Sequence, residues 1–276
     1  MKMDIAFGQY CHGDSVLHRL DPRVKIVTAI VFIVEIFLAK SAASFALIVA
    51  ATVLLLALSG ISPRIILRGI RPIVFVILFT AVINIFFVRG EKPLVEFWVI
   101  KIYPEGLINA AFIAIRIIVL IVSTSLFLTY TTTPIALTDG LEQLLSPLSK
   151  IKLPVHEFSM MMTIALRFIP TLIEETEKIM NAQKARGADF STGGLIKRAR
   201  ALIPIMIPLF VSAFRRADEL ATAMECRCYT GGKGRTRLNV LKAGPADLIF
   251  ALCVVALGAA VVLLNIYVPF FKVGIY

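Results

Sequence analysis

The sequence predicts an all-α integral membrane protein with about five transmembrane helices and one long polar domain, also helical, between the fourth and the fifth. Three observations predict it. Hydrophobic residues make up 58% of the chain, charged residues only 17%, and the mean hydropathy is +0.87, whereas soluble domains are about 45–50% apolar. Apolar runs of about 17–25 residues, long enough to cross a bilayer as helices, recur along the chain. The stretch between the last two of these runs holds most of the charge and most of the helix-breaking prolines.

The spans are expected from about Val24 to Ala39, Ala42 to Leu58, Pro72 to Val88, Leu107 to Tyr130, and Asp247 to about Phe270. This divides the chain into an N-terminal membrane domain (1–133), a polar domain (134–246) and a final membrane helix (247–276). The opening Met1 to His18 is polar and broken by Gly8 and Gly13, so no cleavable signal is expected there. Cys11, Cys226, Cys228 and Cys253 follow no disulfide or metal spacing, which argues against an oxidised, secreted protein.

Orientation follows from lysine and arginine. Lys2, Arg19, Arg23, Lys25, the loop residues Arg64, Arg68 and Arg71, and all sixteen basic residues of the polar domain fall on one side. The other side holds Lys40, Arg89, Lys92, Lys101 and Lys272, partly offset by Glu91, Glu96 and Glu105. The N-terminus and the polar domain are therefore expected on the cytoplasmic side. A basic face beside anionic lipid accounts for the net charge of +11 without nucleic acid.

Within the polar domain, Thr133-Pro134 is a helix start, and a short helix is expected to about Leu145. A long helix follows from Pro154 to Arg186, bent near Pro170 and charged beyond it, with Glu174 and Lys178 one turn apart. A second long helix, disturbed by Pro204 and Pro208, carries an apolar stripe over Phe210, Ala213, Phe214, Ala217, Leu220, Ala221 and Met224, offers an Arg215 to Glu219 pair, and ends near Arg227. Small-residue stripes let two such helices pack across one another. Each ends on an arginine: Ala185-Arg186-Gly187, and Cys226-Arg227-Cys228 forty-one residues later. A guanidinium at the negative end of a helix dipole, its five-donor fork turned outward, is suited to gripping a carboxylate on another chain.

Several segments together resemble one family. The helix end Asn181-Ala182-Gln183-Lys184-Ala185-Arg186-Gly187, the run Arg215-Arg216-Ala217-Asp218-Glu219-Leu220-Ala221, and Ala223-Met224-Glu225-Cys226-Arg227 are similar to the transmembrane coupling subunit, or T component, of energy-coupling factor transporters. So are Leu166-Arg167-Phe168-Ile169-Pro170 and the opening Ser15-Val16-Leu17-His18-Arg19-Leu20-Asp21-Pro22-Arg23-Val24-Lys25. The resemblance implies a cytoplasmic coupling domain of crossed long helices, joined to two ABC ATPase subunits and a membrane-embedded substrate-binding S component. Ala185, Arg186 and Gly187, and Cys226, Arg227 and Cys228, are the positions matching the family's ATPase-docking motifs. It implies micronutrient uptake, of vitamins or alternatively of cobalt or nickel ions, with no catalysis, cofactor or resident metal in this chain.

The second motif departs from the family's Ala-Arg-Gly. Replacing glycine by Cys228 removes the residue best suited to a left-handed cap, so the helix is expected to end instead at Gly231 or Gly232. Cys226 and Cys228 alone are too few ligands for zinc, and a disulfide between them is not expected in a reducing cytoplasm. Thr230-Gly231-Gly232-Lys233-Gly234-Arg235-Thr236 lacks phosphate-loop spacing and the strand that precedes such a loop, and reads as a basic turn.

A membrane-embedded enzyme would need an acidic pair or histidine cluster at the membrane face. The acidic groups Asp139 with Glu142, and Glu174, Glu175 and Glu177, have no aligned aspartate or histidine, and His12, His18 and His156 are scattered. Asp21-Pro22 reads as a turn and helix start, with Arg19, Arg23 and Lys25 at the level of lipid phosphates. Glu35 and Arg116 are the charges at membrane depth. Each is expected to face protein or water, and a direct pair between them requires one helix to be displaced or tilted.

Overall fold

The computed structural model describes residues 11, 13–88, 95–97, 100–151, 154–188, 190, 194–231, 241 and 243–267. Among the described residues the chain is all-α apart from one short hairpin. Its helices are α1 (Val16–Arg19), α2 (Pro22–Leu38), α3 (Ala42–Ser59), α4 (Pro63–Ile70), α5 (Val74–Phe87), α6 (Pro104–Thr124), α7 (Pro134–Leu145), α8 (Val155–Ala185), α9 (Leu195–Cys226) and α10 (Pro245–Tyr267). A 3-10 turn (Arg71–Ile73) joins α4 to α5, a π-helical turn (Ser125–Tyr130) extends α6, and a 3-10 segment (Ser146–Ile151) follows α7. Strands β1 (Val95–Phe97) and β2 (Ile100–Ile102) pair antiparallel, with Glu96 opposite Lys101.

Among the described residues, four helical segments are long and apolar enough to cross a membrane: Ala42–Ser59, Pro63–Phe87, Pro104–Tyr130 and Pro245–Tyr267. The 17 residues of α2 stand at the lower limit of spanning length. The third span differs from expectation, because helix begins at Pro63 and carries Arg64, Arg68 and Arg71 within it. Pro63 at the first helical position starts α4, and Pro72 lies in the first turn of the 3-10 link, where its missing amide hydrogen costs little. Among the other expectations, His12, Arg89, Glu91, Lys92, Lys272 and Gly232 to Thr236 lie outside the described residues.

The chain forms two compact units, one of residues 1–144 and 240–276, the other of residues 145–239. In the first, Phe32, Ile36, Ile48, Leu126, Phe127 and Val261 are among the buried residues, and the Phe127 ring meets both Phe32 and Phe250 edge-on, at 5.8 and 6.0 Å. These contacts join α2, the π turn and α10. Outward residues such as Phe75 and Phe87 of α5 stay exposed, as lipid-facing side chains would.

Polar groups inside this unit mostly close helix ends. Arg116 of α6 donates from Nη2 to the carbonyl of Ala39 (3.0 Å), the residue that caps α2, and lies 5.9 Å from the Phe45 ring centre. It does so in place of any pair with Glu35, placing a cation at the negative end of α2. Asn265 of α10 closes the same corner: its amide nitrogen donates to the Leu38 carbonyl, and its oxygen accepts from Lys40 N, Ser41 N and Ser44 Oγ.

Glu35 is buried, and neither carboxyl oxygen has a hydrogen-bond partner among the described residues. It fits only because α10 has Gly258 opposite, where an added Cβ would stand 2.5 Å from Oε1. Gly258→Ala should therefore destabilise the detergent-solubilised protein by about 1–3 kcal/mol, the usual cost of overpacking. In a thermal-unfolding double-mutant cycle, adding Glu35→Ala should recover most of that loss; strictly additive effects would show that the two residues do not oppose one another.

Candidate functional site

The second unit is built on α8 and α9, which pack against each other. Both run unbroken through their prolines, α8 through Pro170 and α9 through Pro204 and Pro208. In α8, helix residues recur at three- and four-residue steps on both sides of Pro170, so the segment continues past the one missing hydrogen bond. Beyond these prolines, Arg216 Nη2 donates to Glu175 Oε2 at 2.6 Å, and Ser212 also donates to the Glu175 carboxylate. The hydrogen bonds from Arg216 and then Ser212 hold the Glu175 carboxyl below the usual carboxylate range. This pair joins the two helices, whereas the expected pairings, Glu174 with Lys178 and Arg215 with Glu219, lay within each helix.

The two arginine ends share one backbone geometry. In α8, Gly187 N donates to the Lys184 carbonyl (2.9 Å) and Ala188 N to the Gln183 carbonyl (3.0 Å). In α9, Cys228 N donates to the Glu225 carbonyl (2.8 Å) and Tyr229 N to the Met224 carbonyl (3.0 Å). Both are Schellman closures, in which a left-handed residue after the cap turns two amides back onto carbonyls that the helix leaves unpaired. Gly187 has φ +88° and Cys228 φ +53°.

The expectation that α9 would run on to Gly231 or Gly232 is thus overturned: it ends at Cys226, with Arg227 as its cap. Cys228 accepts a left-handed backbone at a cost that glycine avoids, and the two recovered hydrogen bonds offset part of it.

The backbone closes each helix, so the guanidinium is not needed for that task. Arg186 and Arg227 are exposed, as are Ala185, Gly187, Cys226 and Cys228. None of the four cysteines is in a disulfide. The two arginines also stand in register. Each lies eleven residues beyond its own helix's member of the Glu175 and Arg216 pair (175 to 186, 216 to 227), about 16 Å at 1.5 Å per residue.

The family sequence model described as cobalt transport protein matches residues 13–238. Relatives called energy-coupling factor transporter transmembrane protein EcfT align over nearly the whole chain. That of Clostridium kluyveri is 52% identical across 97% of this chain and 99% of its own length. This chain belongs to that transporter family. The T-component relatives of Acidaminococcus fermentans (48% identical, 98% of this chain and all of the relative) and Bacillus subtilis (46%, 87% and 91%) agree. The chain is therefore a membrane component of a transporter, as its sequence motifs indicated.

Other expected residues fall elsewhere. Lys25, expected at the lipid phosphates, is only 1% exposed and donates from Nζ to the Thr131 carbonyl at 2.8 Å, because the bundle offers a cluster of oxygens that replaces its water. His18 bridges Ser15 Oγ (2.7 Å) and the Cys11 carbonyl (2.8 Å), a structural task. Sequence reasoning missed the Glu175 and Arg216 pair. Its signal was present, since the pair has the same forty-one-residue separation as the two arginine motifs.

Two outcomes follow from this T-component geometry. Cys228→Gly should remove the left-handed strain and stabilise the end of α9 by about 1 kcal/mol, read as slower amide hydrogen exchange at Cys228 and Tyr229, whereas Cys228→Val should speed it. A carboxyl with a depressed folded pKa contributes stability that is in place above its unfolded value and lost as pH falls through the folded one. Amides of α8 and α9 near Glu175 should then keep their protection from neutral pH to about pH 5 and lose it in stronger acid. In Glu175→Gln that acid step should be missing.

Proposed function

We propose that this chain transmits ATP-driven motion from two ABC ATPase subunits to a membrane-embedded substrate-binding S component, for uptake of a micronutrient. The observation that carries the reading is the matched pair of exposed arginines, Arg186 and Arg227. Each is the cap residue of a Schellman turn, and each is eleven residues past its own helix's member of one shared ion pair. Two equivalent tips suit two equivalent partners. A guanidinium in an acidic groove makes charge-assisted, bidentate bonds that resist displacement in both directions of a stroke.

Ala185 and Gly187, and Cys226 and Cys228, are small residues beside the tips and would let a groove wall approach closely. The apolar outer faces of the same helices support contact with the S component and lipid. Phe158, Met161, Ile207, Phe210 and Phe214 are all more than half exposed. The basic residues around the N-terminus, α4 and the 145–239 unit support a cytoplasmic placement of these elements in a prokaryotic cell membrane.

ATP hydrolysis belongs, on this reading, to the partners. The family description names cobalt and the relatives' names do not, so a vitamin cargo carried by the S component is proposed over a dedicated cobalt or nickel permease.

Arg186→Glu and Arg227→Glu should each leave membrane insertion intact and lower recovery of copurified ATPase at least tenfold, the cost of losing one charge-assisted contact of about 1.4 kcal/mol or more. Recovery equal to wild type in both variants would overturn the docking assignment. Mass spectrometry of the remaining small membrane polypeptide identifies the cargo class.

A further inference from the structure

The chain passes between its two units twice, leaving the first after α7 and returning before α10. Both connections meet the same three residues, Asp21-Pro22-Arg23, at the start of α2. On the outgoing side, Gly140 of α7 lies so close that an added Cβ would stand 3.0 Å from Pro22 Cβ and 3.3 Å from Arg23 N. The lead into α7 is fixed one turn further along α2, where buried Lys25 donates to the Thr131 carbonyl (2.8 Å) and to Thr132 Oγ1 (3.3 Å).

The returning side is held by hydrogen bonds across more than two hundred residues of sequence. Arg23 Nη2 donates to the Leu241 carbonyl at 2.9 Å. The same guanidinium is fixed by Asp21, through Nη2 to Oδ2 (2.7 Å) and Nε to Oδ1 (3.1 Å). Asp247 Oδ1 accepts from Asp21 N (2.7 Å), while Oδ2 accepts from Gly244 N (2.7 Å), which ties the turn before α10 to the same corner. Asp21 and Asp247 are each 6% exposed, so the bond from the Asp21 amide to Asp247 is shielded from water and from salt, while the Arg23 guanidinium is partly exposed.

We propose that Asp21-Pro22-Arg23 is the anchor through which displacement of the 145–239 unit reaches the membrane helices, with Arg23, Asp21, Asp247 and Gly140 as positioning residues. This rests on the coupling function proposed above. An initiating turn for α2 needs Asp21 as cap and Pro22 at the first helical position, and nothing more. Capping α2 does not call for a guanidinium bonded to Leu241, a carboxylate that receives the Asp21 amide, or a residue without a Cβ at 140. All three serve the two connections. Because both are fixed at one place, a displacement of the second unit carried along either connection arrives at the start of α2.

The test uses the assembled complex of this chain with its copurified ATPases and S component in lipid nanodiscs. Hydrogen exchange of α2, α6 and α10 amides is compared between the nucleotide-free complex and the complex trapped with ATP and vanadate. Wild type should show a nucleotide-dependent difference in these helices. Arg23→Gln and Gly140→Leu should reduce that difference about fivefold, the lower end of typical coupling between sites, with ATPase recovery and ATP hydrolysis within about twofold of wild type. The milder Arg23→Lys and Gly140→Ala, which keep the charge or add one carbon, should show smaller losses in the same direction and serve if the first pair fails to assemble.

An undiminished difference in every assembled variant would overturn the anchor. Loss of ATPase recovery together with the exchange difference would do so as well, since it would make the corner a general folding element. A wild-type complex that recovers no ATPase would overturn the coupling function, and the anchor would fall with it.

Discussion

Helix carbonyls that find no partner within the helix must be satisfied, and the way this chain satisfies them decides what its arginines can do. After α8 and α9 the backbone does the work, through a left-handed residue that folds two amides back onto the last turn. Arg186 and Arg227 are thereby left exposed at the negative ends of the two longest helices. At the end of α2 the opposite solution is used: Arg116, from within α6, donates its guanidinium to the Ala39 carbonyl. A side chain closes that helix, whereas a left-handed residue closes α8 and α9 and leaves their arginines exposed.

That distinction explains why the change from glycine to Cys228 leaves the turn in place. A helix can lengthen by a few residues at little cost, and Gly231 stood ready as an alternative terminus with φ +96°. Continuing α9 would have moved Arg227 onto the flank of the helix. The observed turn keeps it at the tip at the cost of a strained cysteine, and it preserves the eleven-residue distance from the ion pair that Arg186 also has.

Much of the architecture was legible in the sequence because it depends on local pattern. Apolar run length located the spans, though the third begins earlier, at Pro63; Pro134 marked the start of α7, and the charged half of α8 marked a helix ending at Arg186. Ala185, Arg186 and Gly187, and Cys226, Arg227 and Cys228, stood out in the sequence, and all six are exposed. What was not legible depends on contacts between distant segments. Nothing in the neighbourhood of Lys25 says that Thr131 and Thr132 will supply oxygens to a buried ammonium, and a basic residue near a membrane surface ordinarily faces lipid phosphate. The bond from Arg23 to Leu241 joins residues 218 apart in sequence. Glycines with a steric role, such as Gly140 and Gly258, look like ordinary small residues of apolar helices until the opposing helix is in place.

The repeated spacing bears on how the second unit could carry force. Two helices that touch only through apolar side chains can slide along each other, since such contacts are nearly equivalent after a shift of one turn. A hydrogen-bonded ion pair has one register, and Glu175 with Ser212 and Arg216 supplies it where α8 meets α9. The pair is half exposed, so its value lies in direction rather than in strength. With the register fixed there and the tips equally distant from it, a displacement applied at Arg186 has a defined counterpart at Arg227. Loads applied at the two tips would then work against a common pivot, which the apolar stripes alone could not provide.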